Sequence, residues 1–435
     1  MAKKILAVAL VAIVAVSAAA CFAACEEEPT PYADLVAVRV NNFMAEWENI
    51  DYNFTYEGSS ALKVSVPYTN YLEVNDLIVS PGAEYKVYED EGKTKQLTDL
   101  SKIYVDGTKT LYIDVTNGEL SNSYSVDVTV KQTNLPPESE IADKQYDNRG
   151  GHIYIPEGAE TVMIDGEEYS VIWKLDDEII DSDDNYILSR DCSSNRVTWL
   201  WDGSPMYYGG CFNGNNFEVS VENLPMFDNV KEEAKVINLT IKAKGHSMLD
   251  YSSQIRSLLV NNNDGTIENV FIPEGKLIEL GDADGQYGET SDDEYFRHLT
   301  AGLVAVNRGT IKGCINRCSI YGLSWYHEGD YQVNSNVCFM ASGLVYRNAG
   351  MMYNCVNTGD IKNYYEGREG GERDLLNGAG AIAYSSNENA EYKGVFNIGE
   401  IYCATGNNRA PAYDSIFAVL DSNDVPDMSA TKNYR

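Results

Sequence analysis

Histidine, proline and basic residues are scarce in this sequence. Its 435 residues include 4 His and 12 Pro, and 33 Lys and Arg stand against 66 Asp and Glu, which gives a formal net charge of −33. So few histidines argue against a His-based metal site. The negative charge repels nucleic acids and anionic lipid surfaces, so we expect neither a nucleic-acid partner nor a direct membrane-surface partner.

The short motifs of common catalytic centres are also missing. The sequence has no HExxH, no GxSxG, no Walker-type loop and no CxxC pair, the patterns that indicate metalloproteases, hydrolases, nucleotide-binding proteins and zinc sites. The four histidines, His152, His246, His298 and His327, are scattered and are interpreted as surface residues. We therefore predict no catalytic residue and no cofactor.

Tyrosine is what the sequence has in excess. There are 31 Tyr against 11 Phe and 5 Trp, while 44% of the residues are hydrophobic and 23% are charged. The last two values are ordinary for globular proteins, and tyrosine is enriched in strands and on amphipathic surfaces. The composition therefore indicates an acidic, globular and β-rich chain.

The first 25 residues have the pattern of a targeting segment. Lys3 and Lys4 precede an uncharged apolar run over residues 5–20, as in a secretory signal peptide. Small residues then precede Cys21 and again Cys25, which resembles the lipobox of bacterial lipoproteins. The resemblance implies a signal peptide over residues 1–24, lipidation of Cys25 and an acidic tether over residues 25–34. Lipidation of Cys21, or an ordinary cleaved signal with incidental cysteines, remains an alternative.

Residues 35–131 show short alternating runs that are typical of strands. Turn signals, Asp106-Gly107 and Asn117-Gly118, lie before and between the last two runs. The runs occupy residues 61–66, 84–88, 110–115 and 123–130. This spacing indicates a β-sandwich, and the arrangement resembles the cadherin-like, Ig-type modules of bacterial surface proteins, which implies a spacer or a low-affinity binder. The prolines at 136 and 137 predict a linker over residues 132–150.

The remainder of the chain contains self-similar segments. Gly265, Gly309 and Gly350 are 44 and 41 residues apart, and Gly359 and Gly399 are 40 apart. A period near 40 is typical of solenoids and propellers. Each unit reads as a short apolar strand, a turn of Asn and Gly and another strand, and the only Trp-Asp pair lies outside these units. We therefore predict a parallel β-helix over residues 151–425, followed by a tail over residues 426–435.

The repeated residues have specific predicted roles. Glycine suits a tight corner where a side chain would clash, and asparagines at equivalent positions can form a ladder from one coil to the next. Val270, Cys314, Cys355 and Val395 fall at matching positions and are predicted to form an inward stack, since a free cysteine packs as a small hydrophobe. A Cys314–Cys355 disulfide is the alternative.

These segments resemble GLUG repeats of secreted and surface proteins. Gly302-Leu303-Val304 and Gly343-Leu344-Val345 are each followed by Asn-x-Gly and another strand, and the likeness covers about residues 160–405. The resemblance implies an all-β fold class, in which an N-terminal Ig-like β-sandwich is followed by a right-handed parallel β-helix. It brings no catalytic residue with it.

Two groups of residues are candidate sites. The acidic segment between the first two repeats is interpreted either as a calcium-binding site or as a solvated loop. The acidic residues of this segment are Asp282, Asp284, Glu289, Asp292 and Asp293. Tyr and Trp side chains make flat amphipathic platforms for sugars or proteins. The predicted ligand platform consists of Tyr207, Tyr208, Trp325, Tyr326, Tyr353, Tyr364 and Tyr365.

Taken together, these patterns predict a monomeric, lipid-anchored protein of the bacterial cell surface. We expect adhesion or the binding of an extracellular glycan or protein, with the membrane contacted only through the lipid. A polysaccharide-active β-helix enzyme, either a lyase or a glycosidase, remains open by analogy of fold. A structural stalk that binds nothing is the third interpretation.

Overall fold

The computed structural model is an all-β structure, with 56% strand and 4% helix, which confirms the predicted class. It describes residues 32–47, 61–194, 206–221, 225–243, 256–281, 297–324, 338–365, 378–380, 382–386, 389–405, 417–420 and 427–433. The helical segments in these ranges are single turns at Glu138–Ile141, Ala142–Lys144 and Asp177–Ile180.

The N-terminal unit, residues 32–130, consists of a six-stranded, a three-stranded and a two-stranded sheet. The strands are Leu35–Val40, Phe43–Met44, Glu46–Trp47, Ala61–Val66, Tyr71–Leu72, Val74–Val79, Glu84–Tyr88, Gln96–Leu97, Ile103–Tyr104, Thr108–Asn117 and Leu120–Val130. All pairings are antiparallel except that of Ala61–Val66 with Leu120–Val130. The four runs predicted as strands lie in strands, and alternate residues of the three sheets share one core.

The segment predicted as a linker is hydrogen-bonded to the N-terminal unit near its end. The backbone N–H of Asn70 donates to the carbonyl of Tyr146 at 2.9 Å. The amide side chain of Asn148 donates to the carbonyls of Tyr68 and His152, at 3.2 and 2.7 Å. These bonds fix the direction in which the chain leaves the N-terminal unit.

The stacked unit, residues 161–433, is built from three sheets that the chain visits in turn. The largest has fifteen strands: Thr161–Ile164, Glu167–Ile172, Tyr186–Leu188, Cys192–Ser194, Cys211–Asn213, Glu218–Val221, Lys235–Ala243, Thr266–Gly281, Thr310–Lys312, Ile315–Ser324, Met351–Asn357, Ile361–Tyr365, Glu391–Asn397, Ile401–Thr405 and Asp427–Asn433. The second has seven: Tyr207–Tyr208, Phe227–Val230, Val260–Asn263, Val304–Asn307, Val345–Asn348, Ala383–Ser386 and Phe417–Leu420. The third has four: Arg256–Ser257, Arg297–Ala301, Cys338–Ser342 and Gly378–Gly380. All pairings are parallel except the hairpin of the first two strands.

Parallel pairing in register places equivalent residues of successive segments side by side. Asn263, Asn307 and Asn348 are buried, and their side-chain amides hydrogen-bond in series, each at 2.8 Å. Asn316, Asn357 and Asn397 form a second buried series, again at 2.8 Å. The predicted asparagine ladder is therefore confirmed, and it exists twice.

The predicted inward stack of small apolar side chains is confirmed as well. Val270, Cys314, Cys355 and Val395 are all buried in the core of the stacked unit. Cys314 and Cys355 are free thiols, each within 3.3 Å of the carbonyl oxygen two residues before it. Burial raises the pKa of Cys314 well above its ordinary value, so its thiol stays protonated, and the disulfide alternative is not realised.

Glycines recur where backbones of successive segments approach closely. A Cβ on Gly350 would lie 2.2 Å from the carbonyl oxygen of Gly309, and one on Gly359 would lie 2.1 Å from that of Cys318. Both distances are far inside van der Waals contact. Any side chain at these corners would push adjacent segments apart, which is the role predicted for the repeated glycines.

The N-terminal unit packs against one side of the stacked unit. We call this contact the seam. Its apolar part joins Val36, Ala37 and Met44 to residues of the stacked unit, namely Ile315, Val356 and Phe396. The backbone N–H of Met44 donates to Oδ1 of Asn269 at 3.1 Å, and its Cβ would lie only 3.3 Å from a Cβ on Gly313. The strand Leu35–Val40 is consequently buried along its whole length.

A buried ionic group lies at the seam. Asp76 accepts a hydrogen bond from Nη1 of Arg39 at 2.7 Å through Oδ2, and one from Arg317 of the stacked unit through Oδ1. The guanidinium of Arg39 also lies over the ring of Phe271, 3.9 Å from its centroid. The side chains of Arg39 and Asp76 are only 5% and 6% exposed. Both carboxylate oxygens of Asp76 are therefore satisfied by charged donors from two parts of the chain.

Candidate functional site

A shallow groove of about 480 Å³ lies on the stacked unit near its first strands. Its walls come from three stretches of chain: Trp173 and Lys174, residues 190–193, and two residues of the strand Glu218–Val221. Its volume lies within the range of about 300–1,000 Å³ that is usual for small-ligand sites. We take this groove, which is formed by described residues, as the candidate ligand-binding site.

Backbone bonds bring the two sides of the groove together. Both the backbone N–H and the hydroxyl of Ser189 donate to the carbonyl of Ile172, at 2.9 and 3.0 Å. Leu175 is buried and forms a parallel bridge with Ser194. Trp173 thus lies between Ile172 and Leu175, whose positions are fixed by these contacts.

Trp173 is the most conspicuous residue of the groove. Its side chain is 54% exposed, which is unusual for the largest apolar side chain. The guanidinium of Arg190 lies over the indole, 4.8 Å from the ring centroid. A cation–π contact of this kind contributes about 0.5–1 kcal/mol at an exposed site. It therefore favours one orientation of the indole at the surface.

The opposite wall is acidic and polar. Oδ1 of Asp191 accepts the backbone N–H of Glu218 at 2.8 Å, which links two neighbouring strands. Ser220 and Ser193 occupy the same row of the sheet, paired in register. Lys174 is held by Asp176 at 2.7 Å. The groove therefore combines an aromatic ring, hydroxyls and charged groups of both signs.

Cys192 lines the groove but is not suited to covalent chemistry. Burial, followed by the negative charge of Asp191, raises the pKa of its thiol to about 11, although Arg190 acts in the opposite direction. The thiolate is the nucleophilic form of cysteine. At neutral pH this thiol is protonated, so the groove supports non-covalent binding better than nucleophilic catalysis.

The structure separates the residues of the predicted aromatic platform. Tyr207 is 47% exposed, and its N–H donates to Oδ1 of Asp181 at 2.9 Å. Tyr208 is fully buried in the core and donates its hydroxyl to the carbonyl of Asp184 at 3.0 Å, so it offers no surface to a ligand. Tyr353 is half-buried on a different sheet, with the ammonium of Lys393 at 5.5 Å from its ring centroid. These three tyrosines do not form one platform.

Several other predicted residues cannot be placed. Tyr364 and Tyr365 end the strand Ile361–Tyr365, but their side chains are not described. The residues that lie outside the described ranges are Cys21, Cys25, Asp282, Asp284, Glu289, Asp292, Asp293, Trp325 and Tyr326. Within the described ranges, no group of three or more His, Cys, Asp or Glu side chains could hold a metal ion.

Trp173 escaped the sequence analysis because the alternating pattern hides it. Tyr169, Val171 and Trp173 have the same parity, and Tyr169 is indeed buried. Alternation therefore places Trp173 on the face of Tyr169 and Val171, which lie in a small apolar cluster separate from the main core. The strand ends at Ile172, so Trp173 turns out of the sheet instead. The Lys174 that follows it is the one residue that could have signalled the end of the strand.

Comparison with known proteins gives no relative from which a function could be transferred. No family model, no curated protein and no solved structure matches the chain. No helix in the described part of the chain is long and apolar enough to cross a membrane.

Proposed function

We propose that this chain is a secreted, lipid-anchored protein of a bacterial cell surface that binds an extracellular glycan or protein ligand. The observation that carries the binding function is the groove at Trp173. An exposed indole held by Arg190 and faced by carboxylates and hydroxyls offers a ligand both an apolar face and polar partners. The basic and apolar start of the sequence, followed by Cys21 and Cys25, supports the secretion and the anchor.

The proposed fold within this function has two parts. The N-terminal unit is proposed to be an Ig-like β-sandwich, supported by its mostly antiparallel sheets around one core. The stacked unit is proposed to be a right-handed parallel β-helix of GLUG-type repeats. The parallel register over 40 to 44 residues, which aligns the asparagines, supports this proposal. Such a stack presents a rigid surface to a ligand.

Replacing Trp173 by alanine is expected to reduce ligand binding about tenfold or more, because an aromatic anchor carries a large share of binding energy. The purified chain is screened on glycan and extracellular-protein arrays, and the hits are measured with the Trp173→Ala variant. Tyr85→Ala removes a comparably exposed aromatic from the N-terminal unit and serves as the matched control. Tyr207→Ala tests an exposed tyrosine of the sequence-based platform.

Three results would redirect the proposal. Binding that Tyr207→Ala abolishes and Trp173→Ala spares would move the site away from the groove. The absence of any hit would favour the stalk. Turnover of a bound polysaccharide would favour the enzyme.

Metabolic labelling with a palmitate analogue tests the anchor. We expect Cys25→Ala to abolish incorporation of the label, because a lipobox cysteine is the acceptor of the lipid. Cys21→Ala is the matched control, since it lies four residues away in the same apolar context. Loss of label only in Cys21→Ala would move the anchor to that residue, and unchanged labelling in both variants would refute the lipobox.

A further inference from the structure

We infer that the groove at Trp173 binds an uncharged saccharide. This inference rests on the proposed binding function and names the ligand class for the same site. It starts from the charge of the groove: the lining contains Lys174, Arg190, Asp191 and Glu218, and Lys174 is already paired with Asp176 at 2.7 Å. Arg190 then faces two carboxylates, so the groove has no excess of positive charge. A site for an anion carries an excess of positive charge.

The size of the groove favours a small ligand over a folded protein. Stable protein interfaces involve about 20–30 residues on each partner, whereas eight residues line this groove. Its volume of about 480 Å³ suits a ligand of a few rings. The groove is also open to solvent.

The indole of Trp173 supplies the apolar part of saccharide recognition. Sugar rings expose flat patches of C–H groups beside their hydroxyls, and an aromatic face covers such a patch. Trp173 is both exposed and held by Arg190. A ring that is already oriented loses little side-chain entropy when the ligand binds. The cation–π contact therefore acts as preorganisation for the ligand.

The other wall supplies both donors and acceptors for hydroxyl groups. Asp191 uses Oδ1 for the N–H of Glu218, and a carboxylate has further lone pairs available for a ligand hydroxyl. Ser193 and Ser220 carry hydroxyls that donate and accept. The guanidinium of Arg190 donates only. Hydroxyl groups need both kinds of partner, whereas a carboxylate or sulfate ligand would meet the repulsion of Asp191 and Glu218.

Calorimetric titration of matched oligosaccharides tests the ligand class. The probes are neutral hexose oligomers and uronate oligomers of the same length and linkage, with sulfated oligomers and a peptide library as further arms. We expect neutral oligomers to bind with little dependence on salt, because no net charge is neutralised. Trp173→Ala should weaken this binding about tenfold, and Tyr85→Ala should leave it unchanged.

Glu218→Gln provides the sharper variant, since it removes one negative charge and leaves the size of the side chain almost unchanged. It should raise the affinity for uronate oligomers relative to that for neutral oligomers, because the groove loses one of the two carboxylates that face Arg190. Tighter, salt-sensitive binding of uronate or sulfated oligomers to the wild-type groove would overturn the ligand class but keep the binding function. Trp173-dependent binding of peptides alone would do the same. A failure of every probe to bind would overturn both the ligand class and the binding function.

Discussion

Replacing Asn357 by alanine is expected to lower the free energy of unfolding by about 3 kcal/mol, because two buried acceptors each lose a hydrogen bond. The amide nitrogen of Asn357 donates to the carbonyl of Gly359 and to Oδ1 of Asn397, both at 2.8 Å, and its oxygen accepts from Asn316. All three asparagines are fully buried. Asn316 keeps two other acceptors, the carbonyls of Cys318 and Gly343, so the loss falls on Gly359 and Asn397.

Asn262→Ala is the matched control for this ladder. Asn262 lies next to a ladder residue but is only half-buried, and it donates one hydrogen bond, to Asn229 at 3.1 Å. We expect a loss of about 1 kcal/mol for this change. Urea unfolding, followed by circular dichroism, measures both variants. Equal shifts of the midpoint would show that burial in the ladder adds nothing to an ordinary amide bond.

The ladder could be predicted because its information is local and periodic. Gly309 and Gly350 mark the same corner of two segments, and Cys314 and Cys355 follow at the same offset. Once the period is known, parallel register places equivalent residues next to each other, and their chemistry then decides whether they stack or hydrogen-bond. Neither step needs knowledge of contacts distant from the repeat.

The groove and the seam depend on information that periodicity does not contain. Trp173 lies exposed just beyond the strand, which stops one residue earlier. Tyr208 looks like a surface tyrosine, yet it packs against Phe212 and Phe227 in the core, with ring centroids 6.5 and 5.2 Å away. The exposure of Trp173 and the burial of Tyr208 depend on where a strand ends and on which other segment packs over it. The local sequence determines neither.

The seam shows the same limit over a longer distance. Arg39 interrupts the apolar strand Leu35–Val40, and alternation alone would assign it to the surface. Its counter-charge, Asp76, lies 37 residues away and also binds Arg317, a further 241 residues along the chain. Nothing in the local sequence pairs these three residues. The sequence predicts a spacer followed by a linker, and this prediction does not include the seam between the two units.

Replacing Asp76 by alanine should cost about 3–5 kcal/mol of unfolding free energy, since removal of one partner leaves buried charges without compensation. Burial lowers the pKa of Arg39, and Asp76 opposes this shift. Without the carboxylate, Arg39 and Arg317 would face each other at the seam. They would keep only weaker partners: the ring of Phe271 for both, Oδ1 of Asn42 for Arg39, and Glu274 at 3.9 Å for Arg317. Urea unfolding should show a lower midpoint. Hydrogen exchange should rise in Leu35–Val40 and around Arg317 before other regions.

Asp264→Ala supplies the control, because Asp264 forms a comparably short pair with Arg308 at 2.6 Å, but both side chains are exposed. An exposed ion pair contributes about 1 kcal/mol or less, so this variant should unfold almost like the wild type. The double variant Arg39→Met with Asp76→Leu should lose less stability than Asp76→Ala alone, because apolar replacement of a buried pair is often close to neutral. If Asp76→Ala and Asp264→Ala shift the midpoint equally, the ionic group does not hold the units together. If the double variant is as unstable as Asp76→Ala, the loss of stability comes from packing and not from the unpaired arginines.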